Sequence, residues 1–307
     1  MSLLKNVKFR NLQFYKFPEA FGWPPTLTEL RIFDCKNLLR MPEFDEPRSL
    51  TRLTICGSDM MTALPESISQ CESLKECYLH HNPSLKFLSD SFFSVSSLEV
   101  LELVDCKNLR NFPTHVSDLV RLERILLQKC PKITSLPRSF GQLPSLRYLA
   151  IKECENIGRL PQSIGHLSSL ERLDLCQLEA FSVIPSTIHM LSSLRAIVLQ
   201  DCRNIFTRPD FTLHLHRCTG LQSLDLSSLV LYGLPTLSTI PQQLENLSQL
   251  ERLELHSWPN LERLPASITK LSKLRTLVIS GCPKFKNGAA VIRALPNVSV
   301  NVLEGNS

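Results

Sequence analysis

A pattern of apolar residues that returns every 24 positions is the strongest constraint on how this chain folds. It is clearest in residues 146–170, where Leu149 and Ile151 alternate with Ala150 and Lys152, as in a short strand with one buried face. After Cys154 the apolar spacing becomes three, which predicts a coil with short helical turns. The apolar positions of this stretch are Leu146, Leu149, Ile151, Cys154, Ile157, Leu160, Ile164, Leu167 and Leu170.

The same pattern begins again along most of the chain. One copy cannot bury its own apolar side, so the copies are predicted to stack into a solenoid. Successive repeat starts are mostly 24 residues apart. The two longer intervals, which end at Leu221 and Leu250, place extra residues near 211–217 and 229–237, and we interpret these residues as loops. The repeats start at Leu27, Leu50, Leu74, Leu98, Leu122, Leu146, Leu170, Leu194, Leu221, Leu250 and Leu274.

The unit L-x-x-L-x-L-x-x-C-x-x-I matches the leucine-rich repeat. The predicted fold class is therefore an α/β solenoid, a leucine-rich-repeat horseshoe with a parallel β-sheet on its concave side. Leu-Pro pairs such as Leu160-Pro161 recur in the second half of most units. Because proline fixes φ and suits the first position of a helical turn, these pairs predict short 3₁₀ or α turns on the convex side.

The positions of the repeats divide the chain into three predicted segments. Residues 27–297 form the solenoid, with about eleven repeats of 24–29 residues, and residues 298–307 form a terminal strand and tail. Residues 1–26 are a degenerate first repeat or an irregular segment, since residues 17–25 contain three prolines. Solenoids usually need a polar capping segment, and none is visible here. We favour the interpretation that the chain was cut from a longer protein over that of an unusual cap.

Charge and hydropathy exclude several classes of function. The 34 Lys and Arg residues against 29 acids give a net charge of +5, and the absence of any acid-free run argues against a dedicated nucleic-acid binder. The sequence has no run of 18 apolar residues, so no membrane span is predicted. Residues 1–14 lack a secretory apolar stretch. We therefore expect a cytoplasmic chain, with a nucleocytoplasmic distribution left open.

The eleven cysteines are expected to be free thiols. Cys71, Cys77 and Cys218 replace core leucines, and only Cys56 and Cys176 fall on outward strand positions. The spacing of Cys71, Cys77, His80 and His81 could suggest zinc, but the register points these side chains in different directions, so no metal site is predicted. The six cysteines at the turn after the strand are Cys35, Cys106, Cys130, Cys154, Cys202 and Cys282.

No catalytic grouping stands out from the repeat. The aspartates, histidines and serines recur with the coil period, and the sequence marks no Cys or Ser as activated. The chain also lacks a G-x-x-x-x-G-K-[ST] phosphate loop. We therefore expect a protein that is not an enzyme and has no cofactor.

Outward strand positions give the main binding hypothesis. A mixed surface of aromatic, aliphatic and acidic side chains suits a protein partner, although exposed apolar strand residues can also reflect β-propensity alone. The predicted protein-binding residues of the concave face are Phe33, Tyr78, His80, Glu102, Val104, Leu126, Gln128, Lys152, Asp174, Val198, Gln200, Asp225, Glu254 and His256.

A basic edge is the second candidate. Stacked coils would align several cations that follow the turn cysteine, and these could either form a solvated flank or dock an acidic surface such as another domain of a parent receptor. The predicted residues of the basic edge are Lys36, Lys107, Arg110, Lys132 and Arg203.

Units such as residues 98–109 (LEVLELVDCKNL) and 274–285 (LRTLVISGCPKF) resemble the repeats of plant intracellular nucleotide-binding leucine-rich-repeat immune receptors. The resemblance implies a recognition and autoregulation domain in plant defence, whose partner is a pathogen-derived or host signalling protein or another domain of the receptor. The missing phosphate loop means that these residues do not imply ATP binding. Two alternatives are a standalone scaffold in small-GTPase or kinase signalling and a substrate-recruiting subunit of a ubiquitin ligase.

Overall fold

The computed structural model describes residues 4–18, 21–45, 47–110, 112, 114–202, 228–232, 238–240, 244–245, 250–285, 289–295 and 297–303. The chain forms two compact units, residues Met1–Asn156 and Ile157–Ser307. The predicted loop at 211–217, residues 233–237 of the second predicted loop, and Cys218 lie outside the described residues. The predicted loop at 229–237 is wrong in its first part, because residues 229–232 belong to a strand, Ser228–Tyr232, that pairs with the strands before and after it.

The described part of the first unit contains seven five-residue strands. Each strand pairs in parallel with the next one along the chain. The strands are β1 (Asn6–Arg10), β2 (Glu29–Phe33), β3 (Arg52–Cys56), β4 (Glu76–His80), β5 (Val100–Val104), β6 (Arg124–Gln128) and β7 (Tyr148–Lys152).

The second unit repeats this arrangement. Its described strands also pair in parallel and in chain order. They are β8 (Arg172–Cys176), β9 (Ala196–Gln200), β10 (Ser228–Tyr232), β11 (Arg252–His256), β12 (Thr276–Ser280) and β13 (Ser299–Leu303). One helix, α1, spans Ala289–Arg293.

The core lies behind the strands, as the apolar pattern predicts. In β7, Leu149 and Ile151 are fully buried, and Leu146 and Cys154 on either side of the strand are buried with them. Each buried leucine contributes about 1.5–3 kcal/mol relative to an exposed one, so a coil gains its stability from several such residues.

Short 3₁₀ turns return the chain to the next strand, and several begin directly after a proline. Pro65, Pro137, Pro161, Pro185 and Pro265 each precede such a turn in extended conformation. This confirms the interpretation of the Leu-Pro pairs. The turns are Glu66–Gln70, Asp90–Ser94, Arg138–Gln142, Gln162–His166, Ser186–Met190 and Ala266–Lys270.

The residue directly after a strand adopts a left-handed conformation in both units. Its N–H donates to the carbonyl of the last residue of the following strand, as Asp105 does to Gln128 at 2.8 Å. Among the described residues, Gly57 and Gly281 supply the conformation with glycine. The other positions are Asn11, Asp34, His81, Asp105, Lys129, Glu153, Gln177, Asp201 and Ser257.

The turn cysteines form a column of hydrogen-bonded thiols. The sulfur of Cys130 lies 3.7 Å from the carbonyl oxygen of Leu103 in the preceding coil and 3.4 Å from that of Gln128 in its own coil. The sulfur of Cys154 lies 3.4 Å from the carbonyl oxygen of Lys152. The thiol is therefore a small donor that can serve a backbone carbonyl of its own coil or of the coil before.

Aromatic rings fill the core near the first strand, a feature that the repeat pattern does not indicate. Trp23 stacks on Phe44 at 5.6 Å between ring centroids, and Phe17 lies 5.6 Å from Trp23 and 5.3 Å from Phe9. The indole N–H of Trp23 donates to the carbonyl of Pro42 at 3.3 Å.

Parallel strands, aliphatic core positions and 3₁₀ turns in this order confirm the leucine-rich-repeat solenoid as the fold class. Cys71 and Cys77 occupy the core as predicted. Cys176 requires a correction: it stands on an outward strand position, but only 7% of its surface is exposed.

Candidate protein-binding face

The strand face is the set of side chains at the first, third and fifth positions of each strand, which alternate with the core side chains. Most predicted binding residues on it are half-buried, which leaves part of each side chain available to a partner. The half-buried residues are Phe33, Tyr78, His80, Glu102, Val104, Leu126, Gln128 and Lys152 in the first unit, and Val198, Gln200, Glu254 and His256 in the second.

Strand register places the apolar members of the first unit near one another. Tyr78, Glu102 and Leu126 are direct neighbours on β4, β5 and β6, so a carboxylate stands between an aromatic and an aliphatic side chain. His80 and Val104 are paired in the same way. Phe33 lies on β2, with the ammonium of Lys8 5.2 Å from the centre of its ring.

Glu76 is the centre of a hydrogen-bonded cluster beside Tyr78. Arg52 donates to both carboxylate oxygens of Glu76, at 2.7 and 2.9 Å, and the Tyr78 hydroxyl donates to it at 2.8 Å. The Arg52 guanidinium holds the pKa of Glu76 below its usual value. Burial and the neighbouring Glu76 carboxylate raise the pKa of Tyr78 to about 12. The tyrosine is therefore held in one orientation as a neutral hydrogen-bond donor.

Glu102 lies between the side chains of His80 and Arg124. The His80 Nε2 lies 3.4 Å from one carboxylate oxygen and the Arg124 Nε lies 3.3 Å from the other. These two groups hold the pKa of Glu102 below its usual value. The guanidinium of Arg124 also stacks 4.5 Å above the ring of Tyr148. The charged side chains of this face are thus held in place before any partner arrives.

Sequence reasoning missed Arg52, Glu76 and Arg124, because it considered only the third and fifth strand positions. The residues at the first position of each strand would have indicated this cluster. Arg52 and Glu76 are 24 residues apart, and this repeat spacing places opposite charges on adjacent strands.

In the second unit the strand face is less open. Asp174 is only 2% exposed, and Arg172 donates to both of its oxygens at 2.8 and 3.2 Å. Asp174 therefore does not offer its carboxylate to a partner, contrary to expectation. Burial acts to raise the pKa of Glu254, but hydrogen bonds from His256 and Arg252 outweigh it and lower the pKa. The predicted residue Asp225 lies outside the described residues.

The predicted basic edge is not a continuous column. Lys36 and Lys107 occupy equivalent places in their coils, but Asp59 and Pro83 fill that place in the two coils between them. The ammonium of Lys132 donates to the Asn108 side chain at 2.5 Å. Lys36, Lys107, Lys132 and Arg110 are exposed, and Arg203 lies outside the described residues.

The residues of the zinc-like spacing separate as the register predicts. Cys71 and Cys77 are fully buried, whereas His81 is exposed and contacts Asp105 at 3.0 Å. Across the described ranges, no three His, Cys, Asp or Glu side chains come together in a group that could hold a metal ion. Within the same ranges, no helix has the length and apolar character needed to cross a bilayer.

Comparisons with known proteins agree with this fold. A family model described as a leucine-rich repeat region matches residues 80–230. A search of curated proteins found no match to this sequence. The solved structures described below are less than 25% identical in sequence to this chain, so they support the fold alone.

Three of these structures illustrate the likeness. A leucine-rich-repeat protein of Leptospira interrogans is 19% identical over 98% of this chain and 96% of its own, with a TM-score of 0.45. A chain in the octameric complex of Latrophilin 3, Unc5D and FLRT2 (LRR) is 21% identical over 94% of this chain and 86% of its own, with a TM-score of 0.67. An internalin of Listeria monocytogenes is 17% identical over 85% and 76%, with a TM-score of 0.50.

Proposed function

We propose that this leucine-rich-repeat domain is a non-enzymatic recognition domain that binds a protein partner on the strand face of its first unit. The observation that carries the proposal is the row formed by Tyr78, Glu102 and Leu126 on three adjacent strands. Tyrosine is enriched at the energetic centres of protein interfaces, so the half-buried Tyr78 is the expected anchor of this row.

Preorganisation of the charged neighbours supports the same proposal. Arg52, Glu76 and the Tyr78 hydroxyl are already hydrogen-bonded to one another in the free chain. Binding therefore immobilises few additional rotamers, which reduces the entropic cost of association. The core does not need these side chains, because Cys77 and Leu79 on the opposite side of the same strand are fully buried.

The finer part of the proposal places the domain in a plant intracellular immune receptor. The turn cysteines and the Leu-Pro units, which resemble those of that family, are its support. The partner is then a pathogen-derived protein, a host signalling protein or another domain of the receptor, and the site of action is the cytoplasm. Co-expression in leaves with pathogen effectors, scored by cell death, tests this role. A full receptor carrying Tyr78→Ala and Leu126→Ala is expected to lose its response.

The binding face is tested with the double variant Tyr78→Ala, Leu126→Ala as bait in plant extract, with captured proteins quantified by mass spectrometry. Val120→Ala with Met190→Ala is the matched control, because these side chains are 45% and 46% exposed and lie off the strand face. A partner retained by the control and lost by the double variant is expected. Its purified form should bind the double variant about tenfold more weakly or worse. Identical capture by both variants would reject this face.

A further inference from the structure

A second surface in the first unit combines exposed apolar and basic side chains. We call it the turn edge, and it consists of the segments that follow the first five strands, residues 12–16, 36–40, 59–63, 83–87 and 107–110. Four consecutive segments expose large apolar side chains. Tyr15, Leu39, Met60 and Phe87 are exposed by 58%, 38%, 41% and 50%, and the first segment also exposes Phe14, which is 37% exposed and packs against Phe17.

Backbone hydrogen bonds hold the neighbouring segments side by side. The N–H of Leu39 donates to the carbonyl of Tyr15 at 2.9 Å, and that of Met60 donates to Lys36 at 3.1 Å. The N–H of Lys86 donates to Thr62 at 3.1 Å. The segments are therefore about 5 Å apart along the stack, with Leu39 at the repeat position of Tyr15, Met60 two positions earlier and Phe87 one position later.

Folding does not require these four side chains. The core of each segment is filled by a neighbouring residue, as Leu38 stands beside Leu39 and Met61 beside Met60, both fully buried. The later segments 155–159 and 179–183 place their large apolar residues, Ile157 and Phe181, in the core.

The charges around this stripe are mostly positive. Within the turn edge there are six Lys or Arg residues and one acid, Asp59. Lys36, Arg40, Lys86 and Arg110 are exposed and have no ion-pair partner among the described residues. Exposed cations without partners raise the local potential and attract a surface of opposite charge.

We propose that the turn edge docks an acidic amphipathic helix of a protein partner. The four segments extend along the stack for roughly 15 Å, which is about the length of three helical turns. Tyr15, Leu39, Met60 and Phe87 receive the apolar face of the helix, and carboxylates on its flanks pair with the cations on either side. A protein helix fits better than an anionic membrane, because Asp59 stands in the middle of the stripe and would be repelled by lipid headgroups.

The probe is a fluorescein-labelled peptide of about five helical turns, with leucine at every third or fourth position and glutamate between. Fluorescence anisotropy measures its affinity for the full chain at low and physiological salt. Saturable binding that weakens with salt is expected. The variant Leu39→Ser, Phe87→Ser and the variant Arg40→Glu, Lys86→Glu should each weaken it about tenfold or more. Thermal melting followed by circular dichroism confirms that each variant folds.

Two control variants separate this surface from the strand face. Val120→Ser with Met190→Ser removes exposed apolar side chains elsewhere, and Tyr78→Ala with Leu126→Ala alters only the strand face; neither should change peptide binding. The absence of saturable binding, or equal affinity for all variants, overturns the proposal. Tighter binding to phosphatidylserine vesicles than to the peptide, lost in the same variants, overturns the choice of a protein partner.

Discussion

Asn82 accepts a hydrogen bond on its Oδ1 from the backbone N–H of Ser58, one coil earlier, at 3.0 Å. Its Nδ2 donates to the carbonyl of Ile55, also at 3.0 Å. Asn82 is fully buried and stands where most other coils have a cysteine. One amide side chain thus satisfies a donor and an acceptor that have no access to water.

Replacing Asn82 with alanine leaves both backbone groups unpaired in the core. We expect Asn82→Ala to lower the free energy of unfolding by about 2–3 kcal/mol, measured by urea denaturation. The matched variant Asn82→Cys introduces the residue of the next coil, Cys106, whose thiol donates to the Leu79 carbonyl at the equivalent place, and should cost less. Equal losses for the two variants would show that these hydrogen bonds do not matter.

Gly165 is required by the close approach of the next coil. A Cβ at this position would overlap the carbonyl oxygen of Thr187 and lie 2.7 Å from the Thr187 Cβ. We expect Gly165→Ala to destabilise the chain by about 1–3 kcal/mol in thermal unfolding. At Gly158 the nearest atom to such a Cβ is 3.7 Å away, so Gly158→Ala serves as the control. That variant should be neutral or slightly stabilising, and a comparable loss at both positions would contradict the prediction.

Leu149 tests the register of the repeat. Leu149→Asp places an unpaired charge where the native side chain is fully buried. The loss should exceed the roughly 2–5 kcal/mol typical of leucine-to-alanine changes, with unfolding of at least the adjacent coils followed by circular dichroism. The exposed Glu155, changed to alanine, is the control and should melt like the parent. A melting temperature for Leu149→Asp equal to that of the parent would disprove the register.

The buried thiols predict a loss of stability at alkaline pH. Burial raises the pKa of Cys71 to about 12, from a value of 9.0 for an unperturbed thiol. The unfolded chain therefore releases this proton first, and the stabilisation is complete below about pH 9 and is lost as the pH rises towards 12. Urea midpoints between these limits should fall less steeply for Cys71→Val, since Val95 occupies the equivalent position in the next coil. Parallel pH profiles for parent and variant would refute this account.

The sequence predicted the core well, because burial follows directly from an apolar period that is repeated many times. Leu149, Ile151 and Cys154 are buried as the pattern requires. It predicted exposure less well. Asp174 and Cys176 stand on outward positions yet are buried, since the exposure of a strand residue depends on the size of its neighbours as well as on its own orientation. No periodicity indicates those neighbours.

Other features depend on contacts that occur only once. The rings of Phe17, Trp23 and Phe44 pack together in a segment that interrupts the repeat, so a periodic template assigns them no partner. The cysteine column was predicted as a set of small buried residues. Its hydrogen bonds could not be predicted, because they depend on the orientation of backbone groups in the coil before.

The column of buried thiols also determines how fast oxidants damage this chain. Conversion of the Cys130 sulfur to a sulfinate would remove the proton that it donates to Leu103 and introduce a negative charge into the interior. While the coils remain closed, the sulfur is neutral and inaccessible to peroxide. Oxidative damage at Cys130 therefore proceeds only as fast as neighbouring coils separate, and its rate measures how often the stack opens.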